Sequence, residues 1–98
     1  MNKKKLAEIK RELKGMYQSP QNRNHKDFIS IAKQLGRREV KRGKEPTYVK
    51  DDNPVLCPPL SIPKHGDLKV GTARSIIQAL LNDVDVWEIF LMEAENDH

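Results

Sequence analysis

Cysteine, histidine and aromatic residues are all scarce in this chain of 98 residues, and each scarcity narrows what it can do. One cysteine, Cys57, excludes an internal disulfide framework and makes no cysteine-based metal cage. His25, Cys57 and His65 are too few and too unevenly spaced for a zinc set, so no metal and no cofactor are expected. No continuous apolar run follows the basic start Met1-Asn2-Lys3-Lys4-Lys5, and no window approaches membrane-spanning length. The expectation is therefore a cytoplasmic protein with no signal peptide and no membrane partner. At this length there is room for one domain with one modest core, burying about 60% of the surface of the unfolded chain.

Charge is what the chain has in plenty, and it is divided. Residues 1–50 hold 15 Lys and Arg against 5 Asp and Glu, a net +10, whereas residues 51–98 hold 3 against 9, a net −6. The first half attracts polyanions. Each Lys or Arg set near a phosphate releases counterions and adds salt-dependent affinity, so nucleic acid is the simplest partner for it, and a merely solvated basic surface is the alternative.

Periodicity predicts a helix over residues 3–16, with Leu6, Ile9, Leu13 and Met16 on one face and Gly15 near its end. It either packs on the domain with its lysines in water or lies along RNA. Residues 19–24 read as a linker. Asn24 then caps a second helix, with Asp27 in its first turn, Phe28, Ile31, Ala32 and Leu35 on its buried face and Gly36 at its end. His25 falls beside that cap as an exposed helix-start histidine.

Residues 37–42 and the run Thr47-Tyr48-Val49 read as a hairpin about Gly43, although Val40 is the one apolar residue of the first run. Arg37, Arg38, Lys41, Arg42 and Lys44, with Tyr48 nearby, make a basic patch with a stacking group suited to phosphates and bases. A third strand is expected from about Val55 to Ile62, interrupted by Pro58-Pro59, with Cys57 as a small apolar filler. After it comes a basic loop, then a third helix opened by Gly71-Thr72, with Thr72 as its cap and Ile76, Ile77, Leu80 and Leu81 inside. Asn82-Asp83-Val84-Asp85 is expected to interrupt, with Asp85 and Glu88 as a capping box for a last helix ahead of an acidic tail. The apolar residues of 86–92 exceed one narrow buried stripe, so part of that surface meets another chain or folds back on the first helix. Self-association through Val86, Ile89 and Phe90 is one use of it. The expected organisation is a basic helix and linker over 1–24, a core over 25–82, and a helix with an acidic tail over 83–98.

The stretch 59–77 carries a more specific signal: a strand ending Ile62-Pro63-x-His65, a link Leu68-Lys69-x-Gly71-Thr72, and a helix beginning x-Arg74-Ser75-Ile76. This pattern resembles the segment that closes the fold of HicA toxins, also called YcfA-like proteins, and the likeness extends back to about Asp27, roughly two thirds of the chain. The resemblance implies an α+β domain of the double-stranded-RNA-binding type: two N-terminal helices, a three-stranded antiparallel sheet and one or two C-terminal helices. It also implies an mRNA interferase, an endonuclease that cleaves RNA without metal and is restrained by a HicB-like antitoxin protein.

In that family the catalytic residue is a histidine in a Gly-Ser-His motif at the first hairpin. Here the corresponding place reads Gly43-Lys44-Glu45-Pro46, and the histidine is absent. Metal-free cleavage requires one group to accept the 2′-hydroxyl proton and another to protonate the leaving oxygen, both titrating near the working pH. Histidine meets that requirement unaided, whereas a glutamate needs burial or carboxylate neighbours. Glu45 and His65 are the acid/base candidates, and Lys64, Lys69 and Arg74 join the hairpin cations as RNA contacts. A non-catalytic RNA-binding module of the same fold and a protein-interaction subunit are the alternatives.

Overall fold

Four apolar residues at three- and four-residue spacing fix the first helix. In a computed structural model that describes residues 1–43, 45–64 and 68–96, and the backbone alone of Arg42 and Asn96, helix α1 runs Lys3–Gln18 and buries Leu6, Ile9, Leu13 and Met16. Asn2 starts it by accepting the amide of Lys5 at 2.7 Å. Gly15 lies within α1 instead of ending it, and the helix closes a turn later, where Ser19 N donates to Gly15 O. Asn22, at φ 60°, turns the chain toward α2, a conformation that asparagine tolerates.

Helix α2 spans His25–Gln34 with the expected start: Asn24 Oδ1 accepts from Lys26 N, and Asp27 reaches back to Asn24 N. Phe28, Ile31, Ala32 and Leu35 are all buried. Gly36 follows at φ +97°, the left-handed step that ends many helices.

Strands β1 (Arg38–Arg42), β2 (Glu45–Val49) and β3 (Leu60–Ser61) form an antiparallel sheet in that order. Glu39 opposes Tyr48, which opposes Leu60. Side chains alternate along a strand, so this row shares a face, and Val40, Thr47 and Ser61 occupy the other. Tyr48 and Leu60 face the helices, where Tyr48 is in the core and Leu60 packs against it. The third strand is far shorter than expected. Pro58 and Pro59 have no amide to give a ladder, and Val55 and Leu56 lie in an exposed turn that precedes them.

The largest departure is α3, one unbroken helix Val70–Asn96, about 40 Å long at 1.5 Å per residue. It begins ahead of Gly71, with Ala73 N bonded to Lys69 O at 2.8 Å, so Thr72 lies within its first turn and is not its cap. Asn82, Asp83, Val84 and Asp85 continue it, and the boundary expected between residues 82 and 83 falls inside it. Asp85 and Glu88 therefore form no capping box, and Glu88 instead pairs with Lys10 at 2.8 Å. With Lys3 paired to Glu95, that contact runs α1 antiparallel to α3. The first helix thus packs on the domain, and Leu6, Ile9, Leu13 and Met16 share one core with Phe28, Ile31, Tyr48, Ile62, Ile77, Leu80 and Val84. Each such Leu, Ile or Phe contributes about 1.5–3 kcal/mol of transfer free energy when fully buried. The fold is α+β, with the expected two N-terminal helices, three-stranded antiparallel sheet and C-terminal helix. Among the described residues, no helix is long and apolar enough to cross a membrane.

Candidate nucleic-acid interface

The basic run at the start of the sheet divides between inside and outside. Arg37, expected on an RNA face, is an internal residue with its side chain 1% exposed. Its Nε and Nη2 donate to the two carboxylate oxygens of Asp83 at 2.5 and 2.8 Å, and Nη1 donates to the carbonyls of Tyr48 and Pro58 at 2.8 and 2.9 Å. Four of the five donors of this fork are engaged within the protein, and its burial keeps it from a phosphate. Tyr48 is corrected likewise: it is 1% exposed within the core and offers no ring for a base to stack on. Burial first, and Glu39 second, push its phenol up. Lys50 is also internal, bonded to Asp52 at 3.0 Å and lying 4.8 Å from the ring centre of Trp87.

Cys57 belongs to this inner polar cluster. Burial, then the charge of Asp83 and a hydrogen bond to it, push the thiol up to about 11. Cys57 is therefore a neutral filler and a poor nucleophile.

The exposed residues converge at the hairpin. Glu39, Lys41, Gly43, Glu45, Pro46 and Lys64 line an open cavity of about 190 Å³. Lys41 and Glu39 are two apart on β1 and so share a face, and the register sets them opposite Pro46 and Tyr48. Lys64 comes from the segment after β3, its Nζ 3.6 Å from Glu39 Oε1. That pair is partly exposed and loosely held, so either group can exchange its partner for a ligand. Glu45 and Lys64, distant in sequence, are thus brought together. Glu39 is the residue that sequence reasoning missed; its two-residue spacing from Lys41 in a strand is the signal that marks it.

The remaining candidates lie elsewhere. Arg38 is exposed and makes a two-pronged pair with Asp51 at 2.8 and 3.0 Å. That pairing holds the Asp51 carboxyl below its usual range and raises Arg38. Arg74 sits on α3 with its guanidinium 5.3 Å from the Tyr17 ring centre, and Lys69 is exposed just ahead of that helix. Leu68 N bonds to Arg23 O at 3.1 Å, which ties this region to the linker before α2. Lys44 and His65 fall outside the described residues, as does the Arg42 side chain.

The described lining supplies binding groups of both signs. Two ammonium groups suit a phosphodiester, and two carboxylates accept hydrogen bonds from ribose hydroxyls or base amino groups. No described residue lining it is a histidine. No family model, curated protein or solved structure matches this chain.

Proposed function

We propose that this chain is an RNA-binding protein of the HicA-like kind, the toxin component of a toxin–antitoxin module, and that it receives the RNA backbone at the hairpin cavity. The observation that carries this reading is the meeting of Lys41 and Lys64 with Glu39 and Glu45, since Lys64 lies in the segment on which the resemblance rests and the hairpin is where that family keeps its catalytic motif. The lysines neutralise adjacent phosphates, and the carboxylates accept from 2′-hydroxyls, the group that separates RNA from DNA. On this reading the protein works in the cytoplasm on mRNA, uses no cofactor and is restrained by a HicB-like antitoxin.

Metal-free cleavage is the second reading, and what favours it is the pair of cavity carboxylates. Glu45 would take the 2′-hydroxyl proton, and His65, which follows Lys64 in sequence, would protonate the leaving oxygen. The test is end-labelled single-stranded RNA in excess chelator, with retention and cleavage scored together for the wild type, Lys41→Ala/Lys64→Ala, Glu45→Gln and His65→Ala. Retention that weakens with salt, with a log–log slope reduced by about 1.4 in the double lysine variant, is expected on the binding reading. Cleavage lost in Glu45→Gln or His65→Ala would establish the second. Neither retention nor cleavage would refute both.

A further inference from the structure

The far end of α3 has the opposite character to the hairpin. Ile89 and Phe90 are 56% and 58% exposed and lie one turn beyond half-buried Val86, although monomeric domains seldom leave neighbouring large apolar side chains in water. Phe90 is held in place: its ring meets Trp87 edge to face at 5.6 Å and 89°, and the Trp87 indole is fixed by donating to Leu35 O at 2.8 Å. Beside it, Val86, Trp87 and Phe90 form one wall of a groove of about 240 Å³, and Lys50, Asp52 and Asn53 form the other. A rigid aromatic beside a shallow apolar groove is what binding hot spots are made of.

The rim decides what fits. Asp85, Ile89 and Glu93 recur at four-residue spacing, with Val86 and Phe90 in the next row, so carboxylates bracket the apolar stripe along one helical face. Nearby described cations are engaged: Lys50 with Asp52, Lys10 with Glu88 and Lys3 with Glu95. A second copy presenting the same face would set Asp85 and Glu93 against carboxylates, which charge complementarity disfavours. We propose that this face of α3 docks a basic amphipathic helix of a partner protein, its apolar stripe seated on Val86, Ile89 and Phe90 and its lysines or arginines meeting Asp85 and Glu93. A helix is the fitting shape because an apolar stripe of this spacing on one straight helix matches the ridges of another. The surface lies about 30 Å along α3 from its start, at the end away from the hairpin cavity, and the inference holds whether or not RNA binds there.

The probe is a fluorescein-labelled Leu/Lys peptide of about 18 residues with leucines at helical spacing, beside a Leu/Glu peptide with the same apolar stripe. Anisotropy titration of the full chain should show saturable one-to-one binding of the Leu/Lys peptide, weakened about 30-fold in Phe90→Asp. Phe90→Ser, which adds no charge, should weaken it too. Asp85→Lys/Glu93→Lys leaves the apolar residues in place and should reverse the preference toward the Leu/Glu peptide. Unchanged helical circular dichroism in these exposed-site variants separates lost docking from lost folding. Equal affinity for both peptides, or binding indifferent to Phe90, would overturn the proposal. So would a sedimentation dimer of the wild type that Phe90→Asp dissolves, since a second copy would then be the occupant.

Discussion

Replacing Arg37 by methionine should cost this domain about 3–5 kcal/mol, because it leaves the Asp83 carboxylate buried without its counter-charge. The carbonyls of Tyr48 and Pro58 lose a donor as well, a further penalty of about 1–3 kcal/mol for each that water cannot reach. A domain of this size has about 5–15 kcal/mol in total, so Arg37→Met should fall close to the folding threshold. Asp83→Asn keeps the shape but leaves the guanidinium charge uncompensated, and should cost about 3 kcal/mol. Arg37→Met/Asp83→Asn removes both charges and should be less destabilised than the two single changes combined, by about 2–3 kcal/mol. Urea unfolding followed by circular dichroism and by the fluorescence of Trp87, the one tryptophan, reads all three. With a slope of about 1–2 kcal/mol per molar, the Arg37→Met midpoint should drop by at least about 2 M. A midpoint within about 0.5 M of wild type, with RNA retention reduced, would refute the reasoning and return Arg37 to the surface.

Cys57 offers a pH test. Its folded value, about 11, lies above the ordinary thiol value of 9.0, so the unfolded chain releases the proton first as pH rises. The stability that the thiol contributes is whole below pH 9 and is lost between 9 and 11, at most about 2–3 kcal/mol. The margin of wild type over Cys57→Ala should shrink between pH 8 and 10.5, and a constant margin would show that the thiol is not held neutral. Two glycines should respond in opposite senses. Gly36→Ala forces a left-handed alanine whose Cβ would lie 3.3 Å from Lys50 Nζ, costing about 1–2 kcal/mol, or roughly 5–10 °C in melting temperature. Gly15→Ala, with open space inside α1, should stabilise by about 0.5–1 kcal/mol.

The helical apolar faces were legible because they depend on spacing alone. Leu6, Ile9, Leu13 and Met16, and Phe28, Ile31, Ala32 and Leu35, declare their buried sides with no knowledge of what covers them. The Asn24 and Asp27 cap was legible because its chemistry is local. What spacing and composition could not supply was the partner of a charge. The run from Arg37 to Arg42 reads as one basic patch only while Asp83, far along the chain, is left out of it. Asp83 itself suggests a helix break by composition, but it lies three residues from Leu80 and four from Trp87, on the stripe that faces the core. A carboxylate at a core position requires a buried cation, and that signal was present in the sequence. Tertiary pairing outweighs the modest intrinsic cost of Asn and Asp in a helix, under about 1 kcal/mol per residue.

The continuity of α3 has a functional consequence. Had the helix broken at Asp83, the apolar residues of 86–92 would belong to a separate segment free to fold elsewhere. Because Asp83 is clamped by Arg37 at the base of β1, the helix instead runs straight past the sheet and carries Val86, Ile89 and Phe90 to the end away from Lys41 and Lys64. One internal ion pair thus joins the strand that leads to the basic cavity and the helix that presents the acidic, apolar face. Loosening that pair should disturb both ends together. Asp83→Asn, if it remains folded, is therefore the single substitution expected to weaken RNA retention and Leu/Lys peptide binding at once without touching either surface, whereas Lys64→Ala and Phe90→Asp should each affect one alone.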